Sequence, residues 1–324
     1  MSIKRPVEFV NTFIGTHGAG HALVGPQMPR GMVKLGPDTL SLPNSGYDYM
    51  DPNILGFVHL HQEGAGGKGG RGNILLAPVN GELETDERKY YSPYYHDNEE
   101  AFVGYYRVWL ERYKVNAELS ATEHCGIHRY TFTTPGINRV LIDLGHTLGG
   151  YNKCGGAEIK IISETAVEGS GTYFTVDMEF KKTYKAYFYA EFSRPADSFG
   201  VWKGDEVLHG ERYALLENRR SRSGAFMNFN TGTSETITVK VGISFVSCAQ
   251  AAKNLKAEVP DWDFDGAVIA CKDAWNEYLS RIYVSGGDET ETEKFYSALY
   301  RAANSPIDIN EHGVFASGAS GEQE

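Results

Sequence analysis

The 324-residue sequence is 41% hydrophobic and 23% charged, with a formal net charge of -11. These values suit a globular chain of one large or two ordinary domains. They argue against a nucleic-acid partner, which needs clustered lysine and arginine to neutralise phosphates. No apolar run reaches the roughly 20 residues of a membrane span, so no membrane partner is expected. The first twenty residues contain no signal-like apolar core, which leaves open a cytoplasmic chain and a periplasmic or secreted one whose leader has been removed. Cys125, Cys154, Cys248 and Cys271 form no CxxC pair, so neither a zinc site of that spacing nor a disulfide framework is expected.

Residues 1–55 read as loop and short strand, because seven glycines and Pro26, Pro29, Pro37 and Pro43 interrupt any helix. His17 and His21 have the spacing of helical metal ligands, but the Gly-Ala-Gly between them removes the helix. The stretch 56–73, GFVHLHQEGAGGKGGRGN, starts as a strand on which Phe57, His59 and His61 share one face. It then becomes too glycine-rich for helix or packed strand. Its polar residues make it the candidate site: His59, His61, Gln62 and Glu63, with Gly64, Gly66 and Gly67, as ligand-binding groups, and Lys68 and Arg71 as anion-binding ones. The alternatives are a solvated charged loop and a purely structural histidine strand. Imidazole beside carboxylate would suit a transition metal better than calcium.

Further strands are expected at 74–79, 105–119, 126–132, 140–144, 159–162, 173–180, 184–192, 226–229 and 236–245, with residues 82–100 as a surface excursion. Strands at about ten-residue spacing, separated by turn residues, predict a mainly β protein, an antiparallel β-sandwich. His124 and His128 fall on one face of a strand and Glu123 on the other, which reads as structural. Trp202, between Gly200 and Gly204, is the tryptophan in a loop-like setting and a candidate stacking platform for a ligand, whereas Trp275 reads as core. The period then changes. Phe264, Val268, Cys271, Trp275, Tyr278, Leu279 and Ile282 recur at three and four, and Phe295, Ala298, Leu299 and Ala302 mark a second helix. Asp263 or Asp265 can cap the first helix, and Asp288 precedes the second. These apolar stripes either cover the sandwich or open a helical domain.

The segments 10–39 (VNTFIGTHGAGHALVGPQMPRGMVKLGPDT), GYDY (46–49), 56–67, 73–83, 241–264, 274–287 and 295–301 resemble, in order, glycoside hydrolase family 92, the α-mannosidases. The resemblance implies an N-terminal β-sandwich over 1–258, followed by linker helices and the start of a catalytic (α/α)6 barrel over 259–324. It implies an inverting exo-α-mannosidase that acts on mannose-containing glycans with a Glu acid, an Asp base and calcium. By the same resemblance the acid and base lie in the barrel, so no catalytic residue is expected in this chain. Calcium is expected in the full-length enzyme and not on this chain alone, whose partners are the mannose-containing oligosaccharide and the missing C-terminal catalytic domain. Gln62-Glu63-Gly64 and Arg30 depart from the family pattern. A stand-alone carbohydrate-binding module is the alternative, and a structural sandwich a weaker one. As a loop wall, the site should lose activity and not stability when His61 or Glu63 is replaced.

Overall fold

The computed structural model describes residues 4–62, 71–148, 152–176, 181–217 and 222–316. After a glycine-rich N-terminal segment come β1 (Gly36–Thr39), β2 (Asn53–Leu60), β3 (Asn73–Asn80) and β4 (Ser92–Pro93). They are followed by β5 (Glu99–Phe102), β6 (Tyr105–Leu110), β7 (Val115–Ala121), β8 (Cys125–Phe132) and β9 (Gly136–Asp143). The long strands β10 (Asn152–Ser163), β11 (Ala166–Val176) and β12 (Lys181–Phe192) precede β13 (Ser198–Lys203), β14 (Glu206–His209) and β15 (Tyr213–Leu216). β16 (Ser223–Thr231) and β17 (Glu235–Ser244) complete the strands, and α1 (Cys248–Glu258), α2 (Phe264–Leu279) and α3 (Glu289–Ala302) follow.

Among the described residues these strands form two antiparallel sheets, ordered β1-β2-β3-β9-β16-β13-β14 and β15-β10-β11-β12-β17-β8-β7-β6-β5, with β4 beside β2. Period-two patterning explains the layering. On β12, Ala186, Phe188, Ala190 and Phe192 are buried while Lys185, Tyr187, Tyr189 and Glu191 alternate outward. On β17, Ile237, Val239, Val241 and Ile243 are buried. These side chains meet Phe57, Tyr130, Phe226 and Trp202 in one core between the sheets.

Several expectations are corrected here. Residues 105–119 are not one strand but a hairpin, β6 and β7, with Lys114 in the left-handed region at the turn. Segment 82–100 is no surface excursion: Tyr90 and Tyr94 are buried, and Glu99 accepts hydrogen bonds from Tyr47 and Tyr106 at 3.0 and 2.7 Å. Trp202 lies in the interior of β13, fully buried, so it offers no stacking platform. Trp275 is core, as expected.

The helices fold back on the sandwich. α1, capped by Ser247, crosses β12 and β17 on their outer face. A Cβ on Gly242 would stand 2.1 Å from the Ala251 carbonyl oxygen, so this close approach depends on glycine. α2 and α3 are capped by Asp263 and Asp288, whose side chains accept from Gly266 and Glu291 backbone N–H groups. Their stripes close over the N-terminal segment. The Trp275 indole N–H donates to the Gln27 carbonyl at 2.5 Å and its ring packs 4.3 Å from that of Tyr300, while the Asn11 N–H donates to Ser297. The buried face of α3 is Tyr296, Ser297 and Tyr300, with Phe295 and Leu299 half-buried and Ala298 and Ala302 exposed.

Gly242→Ala should therefore lower stability by about 1–3 kcal/mol, the usual cost of overpacking. Gly232→Ala, whose Cβ would meet nothing closer than 3.9 Å, should stay within about 0.5 kcal/mol. Urea denaturation of both variants checks the pair.

Candidate functional site

Register brings one set of strand ends together. Leu60 pairs with Asn73, Leu75 with Asp143, and Gly224 with Asp143. The residues after β2, those after β9 and Arg222 before β16 therefore leave the first sheet at the same end. The Tyr173 hydroxyl of the second sheet joins them, donating to the Leu144 carbonyl at 3.0 Å.

Beneath this end lies a buried chain of charges. Asp38 on β1 is fully buried, with Oδ1 2.6 Å from His61 Nε2 and Oδ2 2.6 Å from His146 Nε2. His61 Nδ1 faces the Lys34 carbonyl oxygen at 2.7 Å. His146 Nδ1 donates to Glu87 Oε2 at 2.6 Å, and Arg222 bridges Glu87 to Asp143. The Tyr90 hydroxyl and the Gly145 N–H also donate to Asp143, at 2.9 and 2.8 Å. Burying a carboxylate is costly unless it is paired and hydrogen-bonded, and here each one is. Burial pushes the His146 imidazole down, but its bonds to Asp38 and Glu87 prevail and raise it to about 9. Burial pushes Glu87 up, but His146 and Arg222 prevail and hold it at about 2. Asp38 is likewise held below the usual carboxylate range against its burial, by His61 and His146. Gly46 stands against the Asp38–His61 pair at φ 91°, where a Cβ would come within 2.1 Å of Asp38 Oδ1.

A second, neutral chain crosses the core. The Tyr130 hydroxyl donates to His128 Nδ1 at 2.7 Å, His128 Nε2 donates to His59 Nε2 at 2.9 Å, and His59 Nδ1 donates to the Ile74 carbonyl at 2.8 Å. This is the one direction of donation that satisfies both neutral rings. Burial pushes His59 down to about 4 and His128 well below the ordinary imidazole range.

The expected site residues therefore divide. His59 and His61 do not face a ligand: both are buried and both ring nitrogens of each are engaged within the protein. Gln62 is exposed at the start of the loop. Glu63, Gly64, Gly66, Gly67 and Lys68 lie outside the described residues. Arg71 lies half-buried at this end, its guanidinium 5.1 Å from the Phe245 ring centre and 5.9 Å from that of Tyr184. No carboxylate pairs with it among the described residues, and burial pushes its pKa down. His17 pairs with Asp48 at 2.8 Å beside a cleft of about 460 Å³ lined by Asn11, residues 13–17 and Tyr49.

Sequence reasoning missed Asp38, Glu87, Asp143, His146 and Arg222. The available signal was an acid or histidine placed at the end of an apolar strand, as in LIDLGH.

Calcium takes six to eight oxygen ligands. The carboxylates of the buried chain are consumed by imidazole and guanidinium. Among the described residues, the one group of three His, Cys, Asp or Glu donors whose ligand atoms all lie within 4.8 Å of one another is His124, Glu258 and His312, which is richer in nitrogen than oxygen. The described residues do not fit calcium.

Two antiparallel sheets followed by three helices make this a β-sandwich domain with a helical extension. The model of the glycosyl hydrolase family 92 N-terminal domain matches residues 9–244, and that of the family's catalytic domain matches residues 250–319. The chain belongs to glycosyl hydrolase family 92. It is 26% identical to a family GH92 alpha-mannosidase from Bacteroides thetaiotaomicron, with a TM-score of 0.89 over 100% of this chain and 44% of that one. It is also 26% identical to an inverting mannosidase of that family from the same organism, with a TM-score of 0.84 over 99% of this chain and 43% of that one. A curated relative, an uncharacterised secreted glycosidase of Arthroderma benhamiae, is 26% identical over 93% of this chain and 42% of its own length. The chain thus spans less than half the length of these relatives.

The two histidine chains act on stability in opposite directions. His146, held near 9, contributes stability that is complete below its unfolded value of about 6.5 and is lost as pH rises through about 9. His59, held near 4, contributes stability that is complete above about 6.5 and is lost as pH falls toward 4. Melting temperature should therefore peak near pH 6.5. His146→Gln should lower the peak and flatten its alkaline limb, leaving the acid limb in place.

Proposed function

We propose that this chain serves as the amino-terminal part of an inverting, calcium-dependent exo-α-mannosidase that acts on mannose-containing glycans. The observation that carries this reading is the match of the whole chain to an α-mannosidase of the family at a TM-score of 0.89. A related structure was solved with mannoimidazole, which supports a sugar-sized ligand. The sandwich positions; hydrolysis belongs to a general acid and base supplied by the catalytic domain. Inversion requires the two carboxyl groups to stand roughly 6.5–9.5 Å apart to admit a water. Calcium is assigned to the full-length enzyme. The 324-residue chain should not hydrolyse aryl α-mannosides with or without added calcium. Calcium-dependent turnover by this chain would sink the part-chain reading.

The loop after β2 supplies one wall of the sugar site in this proposal, through Gln62, Glu63 and the Gly64–Gly67 turn. His59 and His61 support it from below. In the full-length enzyme Gln62→Ala or Glu63→Ala should cut kcat/KM by roughly 10- to 100-fold, about 1.4–2.8 kcal/mol, with little change in Tm. His61→Ala differs, because it leaves Asp38 with a lost partner in the interior. It should lower stability by about 3–5 kcal/mol as well. If all three variants lose activity only in step with Tm, the loop is scaffold.

Arg71, with Lys68 nearby in sequence, is the proposed seat of an anionic group on the glycan. Its guanidinium is held against two aromatic faces and lacks a protein carboxylate partner among the described residues. Arg71→Met should weaken inhibition by mannose 6-phosphate at least tenfold and leave inhibition by mannose unchanged. Equal weakening of both would remove the anion role.

A further inference from the structure

A third polar cluster lies apart from both histidine chains. His124 sits in the turn before β8, Glu258 is the last residue of α1, and His312 follows α3. Glu258 Oε1 stands 2.5 Å from His124 Nδ1 and 3.1 Å from His312 Nε2. One ligand atom from each of the three falls within 4.8 Å of the others. The second carboxylate oxygen is committed elsewhere: Oε2 accepts from the Thr122 hydroxyl at 2.5 Å and the His124 backbone N–H at 2.9 Å. Glu258 is thus oriented by the β7–β8 turn, with its free oxygen presented to both imidazoles.

His124 is 3% exposed, and the ring nitrogen it turns to Glu258 is Nδ1, with Nε2 on the far side of the ring. His312 occupies the left-handed region at φ 54° inside the short Glu311–Val314 bridge, a conformation uncommon for a non-glycine residue, and this turn brings its ring back to Glu258. Glu258 Oε1 thus faces an imidazole nitrogen of each histidine.

We propose that His124, Glu258 and His312 bind a divalent transition-metal ion of the zinc type. Two imidazole nitrogens and one carboxylate oxygen are a donor set that zinc accepts and calcium does not. The bonds from Thr122 and the His124 backbone supply the outer-shell orientation such sites need. His312 is the exposed member, at 45%, so its side of the cluster is the route for entry and for a water as fourth ligand. The three ligands come from the sandwich, the last turn of α1 and the segment beyond α3. A bound ion would tie those three pieces together, which is a structural role.

The test uses the 324-residue chain after chelator treatment, titrated with zinc chloride by calorimetry and followed by melting temperature. Expected are one ion per chain, a dissociation constant of about 10 μM or tighter, and a Tm that rises with free zinc as linkage requires. Cobalt in place of zinc should give visible absorption bands of a low-coordinate site. His312→Ala, at an exposed ring, should keep the metal-free Tm and lose at least tenfold in affinity together with the zinc-dependent rise. Glu258→Gln should lose the same response. Absence of saturable uptake, or uptake unchanged in both variants, overturns the proposal.

Discussion

The structure depends on how the carboxylate of Asp38 is held. It is fully buried at one end of the first sheet and shared by two imidazoles. Breaking a buried pair by removing one partner costs several kcal/mol, because the remaining charge has no water to return to. That cost fixes the relation between β1, the end of β2 and the end of β9, since Asp38, His61 and His146 come from these three places. Glu87, Arg222 and Asp143 extend the same constraint to the β3–β4 connection and to the start of β16. The segments that follow β2 and β9 and the one that precedes β16 are thus anchored at this end of the first sheet by charged groups.

The two histidine chains show that burial alone does not set protonation. His146 has a carboxylate at each nitrogen and keeps its proton to about pH 9, whereas His59 meets only a carbonyl and another neutral ring and is held near 4. Both are fully buried. The partners decide, and they arrive from distant strands. The charged chain pins one end of the first sheet. The neutral chain joins β2 to β8 and so joins the sheets to each other.

The sandwich was legible because alternation survives in strands such as β6, β12 and β17, where one face is uniformly apolar. The helix α1 was not, because its buried face includes Gln250 and Asn254, which bond to each other at 2.8 Å and onward to the Ile243 carbonyl. A polar buried face has no hydrophobic period to read. Trp202 misled for a related reason: its glycine neighbours suggested a loop, but glycine opposite it makes room, since a Cβ on Gly224 would lie 2.2 Å from the indole. The sequence singled out His59 and His61 as unusual residues. It could not show that Asp38 and His128 would enclose them, because Asp38 arrives by pairing of β1 with β2 across 23 residues and His128 by packing of one sheet on the other across 69.

The N-terminal segment has a consequence for how the chain is made. Val7, Asn11 and Gln27 find their partners on α2 and α3, through Asn276, Ser297, Trp275 and Tyr300. At a synthesis rate of about 5–20 residues per second, these residues wait on the order of 15–60 s after their own synthesis for the helices that cover them. During that interval the sandwich can form, since its own pairings close earlier in the sequence, but the nascent start of the chain remains unsheltered. Its density of glycine and proline keeps that segment from pairing as a strand with a neighbouring chain while it waits. The breakers that make the opening residues look structureless thus act as protection during translation.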